Sequence, residues 1–201
     1  MNYTIATYRL TPSTTTLLIL RRGDITTFTG DALVNAANER MLGGGGVDGA
    51  IHAAAGPQLL EACKSVPPVH GNVRCPTGEA RITPGNFNRL LVKHVIHTVG
   101  PVYQNEAVSA PLLRNCYKNS LQLANEHALT SIAFPAISSG VFGYPLESAA
   151  KIALETCRSS VGCSSSVKSV YFYLFGEAEV EVWRREAERQ KIEKVQRDET
   201  K

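Results

Sequence analysis

The stretch Asn35-Ala-Ala-Asn-Glu-Arg-Met-Leu-Gly-Gly-Gly-Gly-Val-Asp-Gly49 decides how this chain is read. Ahead of it, Ala32 to Val34 is a short apolar run that reads as the end of a buried strand. Behind it, Val47 to Gly56 reads as the opening of a helix. Between them lie four consecutive glycines, Gly43 to Gly46, flanked by Asn38 and Asp48. Glycine loses more conformational entropy on folding than any other residue, so four in a row imply a task for the backbone. A strand, a glycine loop and a helix start together offer backbone N–H groups to an anion. The stretch therefore reads as a phosphate-binding loop carrying one amide and one carboxylate side chain.

Working outward, Tyr3 to Leu10 alternates as an edge strand, and a Thr/Ser/Pro turn follows it. Thr16 to Leu20 is a second strand, ended by Arg21-Arg22-Gly23 and the turn Gly23-Asp24-Ile25-Thr26. After the glycines the helix breaks at Gly56 and restarts with Pro57 at a first-turn position, running to about Lys64. Residues 65–79 are a loop by composition. Ala80 to Thr83 and Leu91 to Thr98 are strands around the Pro84-Gly85-Asn86 turn. A long helix spans about 107–127, with Leu113, Cys116, Tyr117, Ser120, Leu121 and Ala124 as its buried stripe.

Strand Ser131 to Pro135 feeds a second glycine-bearing loop, Ile137 to Pro145. A helix with Ala149, Ile152, Ala153 and Cys157 on one face comes next, then a last strand from Ser169 to Phe175. A final helix starts near Glu177, with Val180, Trp183 and Ala187 inward. Strands alternating with helices imply an α/β sheet covered on both faces, a three-layer α/β/α sandwich. In such sheets ligands bind outside the carboxyl ends of the strands. Loops 23–26, 35–48 and 137–144 all follow strand ends and should meet at one crevice.

At 201 residues the chain fits one domain, expected to have its core at about 16–187 and a charged, solvated tail at 188–201. Apolar residues make up 43% and charged residues 19%, which excludes a disordered chain. The net charge of +3 is weighted to the tail, since residues 184–201 hold seven Lys/Arg against five acids. The body is close to balance, so nucleic acid is not indicated as a partner. Five cysteines without a Cys-x-x-Cys pair argue for reduced thiols and a cytoplasmic, or else nuclear, setting. The Thr-rich first residues, with no acid before Asp24, leave organelle transit open. No apolar run reaches the length of a membrane span. No metal set is apparent, the histidines being scattered at 52, 70, 94, 97 and 127, and no cofactor is expected. The glycine runs match neither the dinucleotide fingerprint nor the P-loop.

Taken in order, Gly23-Asp-Ile25, Asn35-Ala-Ala-Asn38, Gly43 to Gly49, Cys75-Pro-Thr-Gly-Glu79, His97-Thr-Val-Gly-Pro101 and Phe134-Pro-Ala-Ile-Ser-Ser-Gly-Val-Phe-Gly143 resemble the macro domain. The likeness runs from about Leu17 to Trp183, and the subgroup resembled is the MacroD type. The resemblance implies a mixed six- or seven-stranded sheet between helices, acting as a monomer. It implies binding of ADP-ribose and hydrolysis of mono-ADP-ribose from acidic protein side chains, or of O-acetyl-ADP-ribose. Mono-ADP-ribosylated proteins would be the partners. By the same likeness, Asp24 would accept the adenine amino hydrogen, with the Ile25 backbone N–H beside it. Gly44, Gly45, Gly46 and Val47 would clamp the phosphates from one side, and Ser138, Ser139, Gly140, Val141 and Phe142 from the other. Asn38 would hold the distal ribose, Asp48 would sit at its anomeric carbon, and Phe175 would flank the adenine. Two positions depart from the family, Phe142 where Tyr is frequent and Ala53 where Arg is frequent.

The residues also allow plainer readings. Asp48 alone suits a helix-dipole cap, Asn38 a turn, and Phe175 the core. His52, four residues after Asp48 on the same helix face, reads as a structural partner. Two other functions share the pocket: a reader that binds ADP-ribose without chemistry, and a phosphatase acting on ADP-ribose 1″-phosphate.

Overall fold

In the computed structural model, which describes residues 2–195, the apolar run before the glycines is strand β3 (Gly30–Ala36). Strands β1 (Tyr3–Arg9) and β2 (Leu17–Arg22) precede it. Helices α1 (Gly46–Ala55) and α2 (Pro57–Ser65) follow, broken at Gly56 as expected. Strands β4 (Ala80–Pro84) and β5 (Val92–Thr98) lead to the long helix α3 (Glu106–Glu126). Then come β6 (Ser131–Pro135), α4 (Leu146–Ser160), β7 (Ser169–Leu174), α5 (Glu177–Arg189) and the two-residue β8 (Glu193–Lys194).

The strands form one sheet in the order β4-β5-β3-β6-β7-β2-β1-β8. Strands β5, β3, β6, β7 and β2 run parallel, while β4, β1 and β8 pair antiparallel at the two sides. Consecutive strand residues point to opposite faces, so the apolar run of β3 serves two cores. Leu33 packs with Val95, Ile51 and Leu59 under α1 and α2. Val34 packs with Ile96, Phe134 and Phe172 against Leu113, Tyr117, Ala153 and Trp183 of α3, α4 and α5. The α/β/α sandwich is the expected one, and the expected stripe of α3 is buried throughout.

Three expectations need correction. The sheet has eight strands where six or seven were expected, because Tyr3–Arg9 joins fully and β8 adds a short pairing. The chain past Ala187 does not turn to solvent at once. Ile192 is buried, and the Val195 N–H reaches the Thr7 carbonyl at 2.8 Å. In α5 the buried neighbour of Trp183 is Val182, while Val180 is only half-buried. Residues 196–201 of the expected tail lie outside the described residues. Among the described residues no helix is long and apolar enough to cross a membrane.

Because the central strands are parallel, their carboxyl ends share one side of the sheet. Loops 37–45 and 136–145 therefore leave from the neighbouring strands β3 and β6, and loop 23–29 leaves on the same side from β2, beyond β7.

Candidate functional site

The first glycine loop ends where α1 begins, at Gly46. The backbone φ of Gly46 is +59°, in the left-handed region that side chains with a Cβ avoid. An α-helix leaves its first N–H groups without intrahelical partners. Among the described residues no acceptor takes the N–H of Gly44, Gly45, Gly46 or Val47. These four donors converge at a helix N-terminus, which favours negative charge.

The second loop is built from strain and borrowed bonds. Ser138 has φ +65° although it is not glycine, and such outliers concentrate at functional sites. Gly100 makes room for it, since a Cβ there would lie 2.1 Å from Ser138 Oγ. The loop closes through Gly143 N–H to the Gly140 carbonyl at 2.9 Å and Tyr144 N–H to the Ser138 carbonyl at 3.0 Å. The Ser139 hydroxyl is taken up by the Ala136 carbonyl at 2.8 Å. Outside the loop, Tyr103 N–H holds the Phe142 carbonyl at 2.8 Å, and the Tyr144 hydroxyl donates to Glu106 of α3 at 3.1 Å. The N–H groups of Gly140, Val141 and Phe142 have no acceptor among the described residues. The Val141 side chain is 100% exposed and Phe142 is half-buried.

Asp48 is not a cap. It stands in the first turn of α1, yet its Oδ1 accepts from Asn35 Nδ2 at 2.7 Å and lies 3.5 Å from His52 Nε2. Burial raises the Asp48 carboxyl above its ordinary value, while the Asn35 bond and His52 pull the other way. Its second oxygen faces the loop: a Cβ on Gly44 would lie 3.0 Å from Asp48 Oδ2 and 3.3 Å from Asn38 Nδ2. The structure therefore brings Asn38 and Asp48 to the same place. Asn38 also serves as the turn residue, donating to the Gly43 carbonyl at 2.9 Å and accepting from Arg40 N–H at 3.1 Å.

Asp24 lies on the far side of the crevice. Its Oδ1 accepts from the Thr26 N–H and hydroxyl at 2.9 and 2.8 Å, capping a short 3-10 turn, Ile25–Thr27. Its Oδ2 and the Ile25 N–H have no partner among the described residues. A cavity of about 450 Å³ opens beside Asp24, lined by Thr26, Ala50, Ala54 and Arg89 among others, and stops short of Asn38 and Asp48. Phe175 falls one residue beyond β7 and is 83% exposed, which overturns the core reading. A large apolar ring held in solvent at the carboxyl end of β7, on the side of the sheet that carries the loops, is suited to covering a flat ligand.

Sequence reasoning missed three residues that the structure ties to Asp48. Asn35, His97 and Thr83 are buried and hydrogen-bonded in series behind it. The available signal was polar side chains inside apolar strands, since buried polar groups must find partners. The buried thiols of Cys63, Cys75 and Cys116 are not candidates for chemistry. Burial and the Asp48 charge push Cys63 up to about 12, and burial pushes Cys75 up to about 12 and Cys116 to about 11. Among the described residues no group of three or more His, Cys, Asp or Glu could hold a metal ion.

Comparison with known proteins supplies the family. A family model described as Macro domain matches residues 34–153. A protein of Citrobacter rodentium named O-acetyl-ADP-ribose deacetylase is 50% identical over 164 residues, covering 81% of this chain and 90% of that one. The Oceanobacillus iheyensis macrodomain solved with ADP superimposes with TM-score 0.83 at 40% identity, covering 94% of this chain and 97% of that one. The Trypanosoma brucei macrodomain in complex with ADP-ribose gives TM-score 0.76 at 42% identity, covering 88% and 72%. With its glycine loops, its sheet and these relatives in agreement, the chain belongs to the macro domain family.

Proposed function

We propose that the chain, acting as a single domain, binds ADP-ribose and hydrolyses acyl-linked ADP-ribose, either on acidic side chains of modified proteins or in O-acetyl-ADP-ribose. The observation that carries this reading is the convergence of Asn38 and Asp48 over Gly44, beside donors at the start of α1. The two unpartnered N–H sets suit a diphosphate held between the loops. Asp24 Oδ2 and the Ile25 N–H suit the adenine edge, with Phe175 over the ring. The names of the Citrobacter and Trypanosoma relatives support the same ligand class.

The chemistry follows from the leaving group. Glycosidases use a pair of carboxylates, one of them as an acid that protonates the departing oxygen. Over Gly44 Asn38 meets a single carboxylate among the described residues, Asp48, so the substrate must leave without that help. Where the ribose is esterified through its anomeric oxygen to Asp or Glu, water attacks the anomeric carbon and the acid departs as a carboxylate whose acid has a pKa of about 4, needing no proton. Asp48 Oδ2 then orients or deprotonates a water, and Asn38 fixes the ribose for attack.

The test is turnover of a protein mono-ADP-ribosylated on Glu, with calorimetric ADP-ribose binding measured in parallel. Asp48→Ala should lower turnover at least about 100-fold and retain binding. Near-full turnover in that variant would sink the assignment. Phe142 favours a second reading, a non-catalytic reader, because it lacks the hydroxyl that Tyr would bring to the ribose. Binding without turnover in the wild type is the outcome that selects it.

A further inference from the structure

Behind Asp48 a line of hydrogen bonds crosses the sheet away from the crevice. Asn35 Nδ2 donates to Asp48 Oδ1 at 2.7 Å and stands 3.1 Å from His97 Nδ1. His97 Nε2 lies 3.0 Å from Thr83 Oγ1 and 3.6 Å from the Cys63 sulfur, and the Thr83 hydroxyl points on to the Val95 carbonyl at 3.5 Å. Strand register places these groups. Asn35 of β3 and His97 of β5 are direct partners, and Thr83 of β4 pairs with Val95 two residues before His97. Asn35 and His97 are 0% exposed and Thr83 3%.

The direction of the line follows from what each group can do. An ionised Asp48 only accepts, so the amide nitrogen of Asn35 must face it, and its second N–H faces His97. Nδ1 of His97 is therefore the acceptor. A neutral imidazole then carries its proton on Nε2, which donates to Thr83. Burial, with some help from the charge of His52, pushes the His97 pKa down to about 3, which keeps the ring neutral. Among the described residues, the titratable groups that act on Asp48 are His52 on its own helix and Cys63 on α2, whose thiol stays protonated.

We propose that His97, held in one tautomer by Thr83, is a positioning residue: it locks the Asn35 amide so that Asp48 turns one oxygen inward and presents the other to the crevice. The inference rests on the reading of Asp48 as the group that works at the anomeric carbon. With the lock removed, Asn35 is free to turn its oxygen toward Asp48. The carboxylate then loses a donor and faces a dipole of the wrong sign, which favours its protonated form. A base protonated at higher pH gives an acid limb of kcat displaced upward. Adenine and phosphate contacts are made elsewhere and are untouched.

Thr83→Val tests this with packing volume kept. Without the Thr83 acceptor only the weakly accepting Cys63 sulfur remains for the Nε2 proton, which can then move to Nδ1, where it opposes the Asn35 N–H. The acid limb of kcat should rise by about one pH unit, with the calorimetric Kd for ADP-ribose within about twofold of wild type. Thr83→Ser should restore the wild-type limb, as should His97→Gln, whose amide has an acceptor for Asn35 and a donor for Thr83. Folded, binding-competent Thr83→Val with an unmoved limb would overturn the proposal, because a merely structural role predicts lost stability alone. Carbon-detected NMR titration of the Asp48 carboxyl gives the same comparison without turnover. Should the wild type turn nothing over, the hydrolase reading fails, while an upward shift of that carboxyl in Thr83→Val still supports the lock and an unmoved one refutes it.

Discussion

Single residues here act mainly by giving the backbone or a neighbour its orientation. Gly46 shows this most cleanly: its φ is +59°, and nothing lies within 4 Å of where a Cβ would sit. Gly46→Ala therefore introduces strain without a clash, at a cost of about 1 kcal/mol. If that strain falls on the bound geometry, ADP-ribose affinity drops about fivefold by calorimetry. Gly45 is extended, with φ −100° and ψ −177°, and Gly45→Ala should lose distinctly less. Equal losses would mean that loop conformation is not what the glycines provide. At this scale the sequence was legible where residue types were unusual. Four glycines, an amide and a carboxylate announce a site by composition. Asn35, His97 and Thr83 did not, because their meaning lies in strand register, and the register of β3 on β5 is set by residues 62 positions apart in the chain.

Among the elements, β3 and β6 are joined at their starts, away from the crevice, by one carboxylate. Asp31 accepts from the Thr130 N–H and hydroxyl and the Ser131 N–H, and pairs with Lys93 Nζ at 2.7 Å. Burial alone would raise its pKa, but Lys93 and these donors outweigh burial and hold the carboxyl well below the usual range. A depressed folded pKa contributes stability that is present above the unfolded value of about 4 and is lost as pH falls through the folded value. Asp31→Asn should thus cost about 2 kcal/mol at pH 7, seen as a lower Tm, and the gap from wild type should shrink below about pH 4. A gap independent of pH would mean that geometry, not charge, accounts for the role of Asp31. Most elements were legible from periodicity, since the α3 stripe and the Gly56-Pro57 break follow from residue spacing. The pairing of two residues in β8 leaves no periodic trace, so it was not.

Over the whole molecule, the sheet closes one side with chain from both ends. Strand β8 pairs with β1 at Tyr8 and Arg9, Arg9 meets Glu193 at 3.3 Å, and Ile192 enters the core beside α5. Ile192→Ala should lower stability by about 2 kcal/mol in urea denaturation while leaving ADP-ribose affinity unchanged. An unchanged midpoint would show that the described end of the chain adds nothing to the fold. The charge-rich composition after Ala187 hid this, because a single apolar residue among Lys and Glu reads as solvated until its strand partner is known. The carboxyl ends of the central strands β3 and β6 carry the two glycine loops, and there the proposed ligand meets peptide groups more than side chains. Peptide N–H groups have no proton to gain or lose near neutrality and no identity to exchange. An alanine scan would register them only where, as at Gly46, the substitution strains the backbone. An inhibitor that spends its affinity on those amides would present little that a point substitution could take away, so escape variants should surface around Asp24 and Phe175 and leave the diphosphate cradle intact.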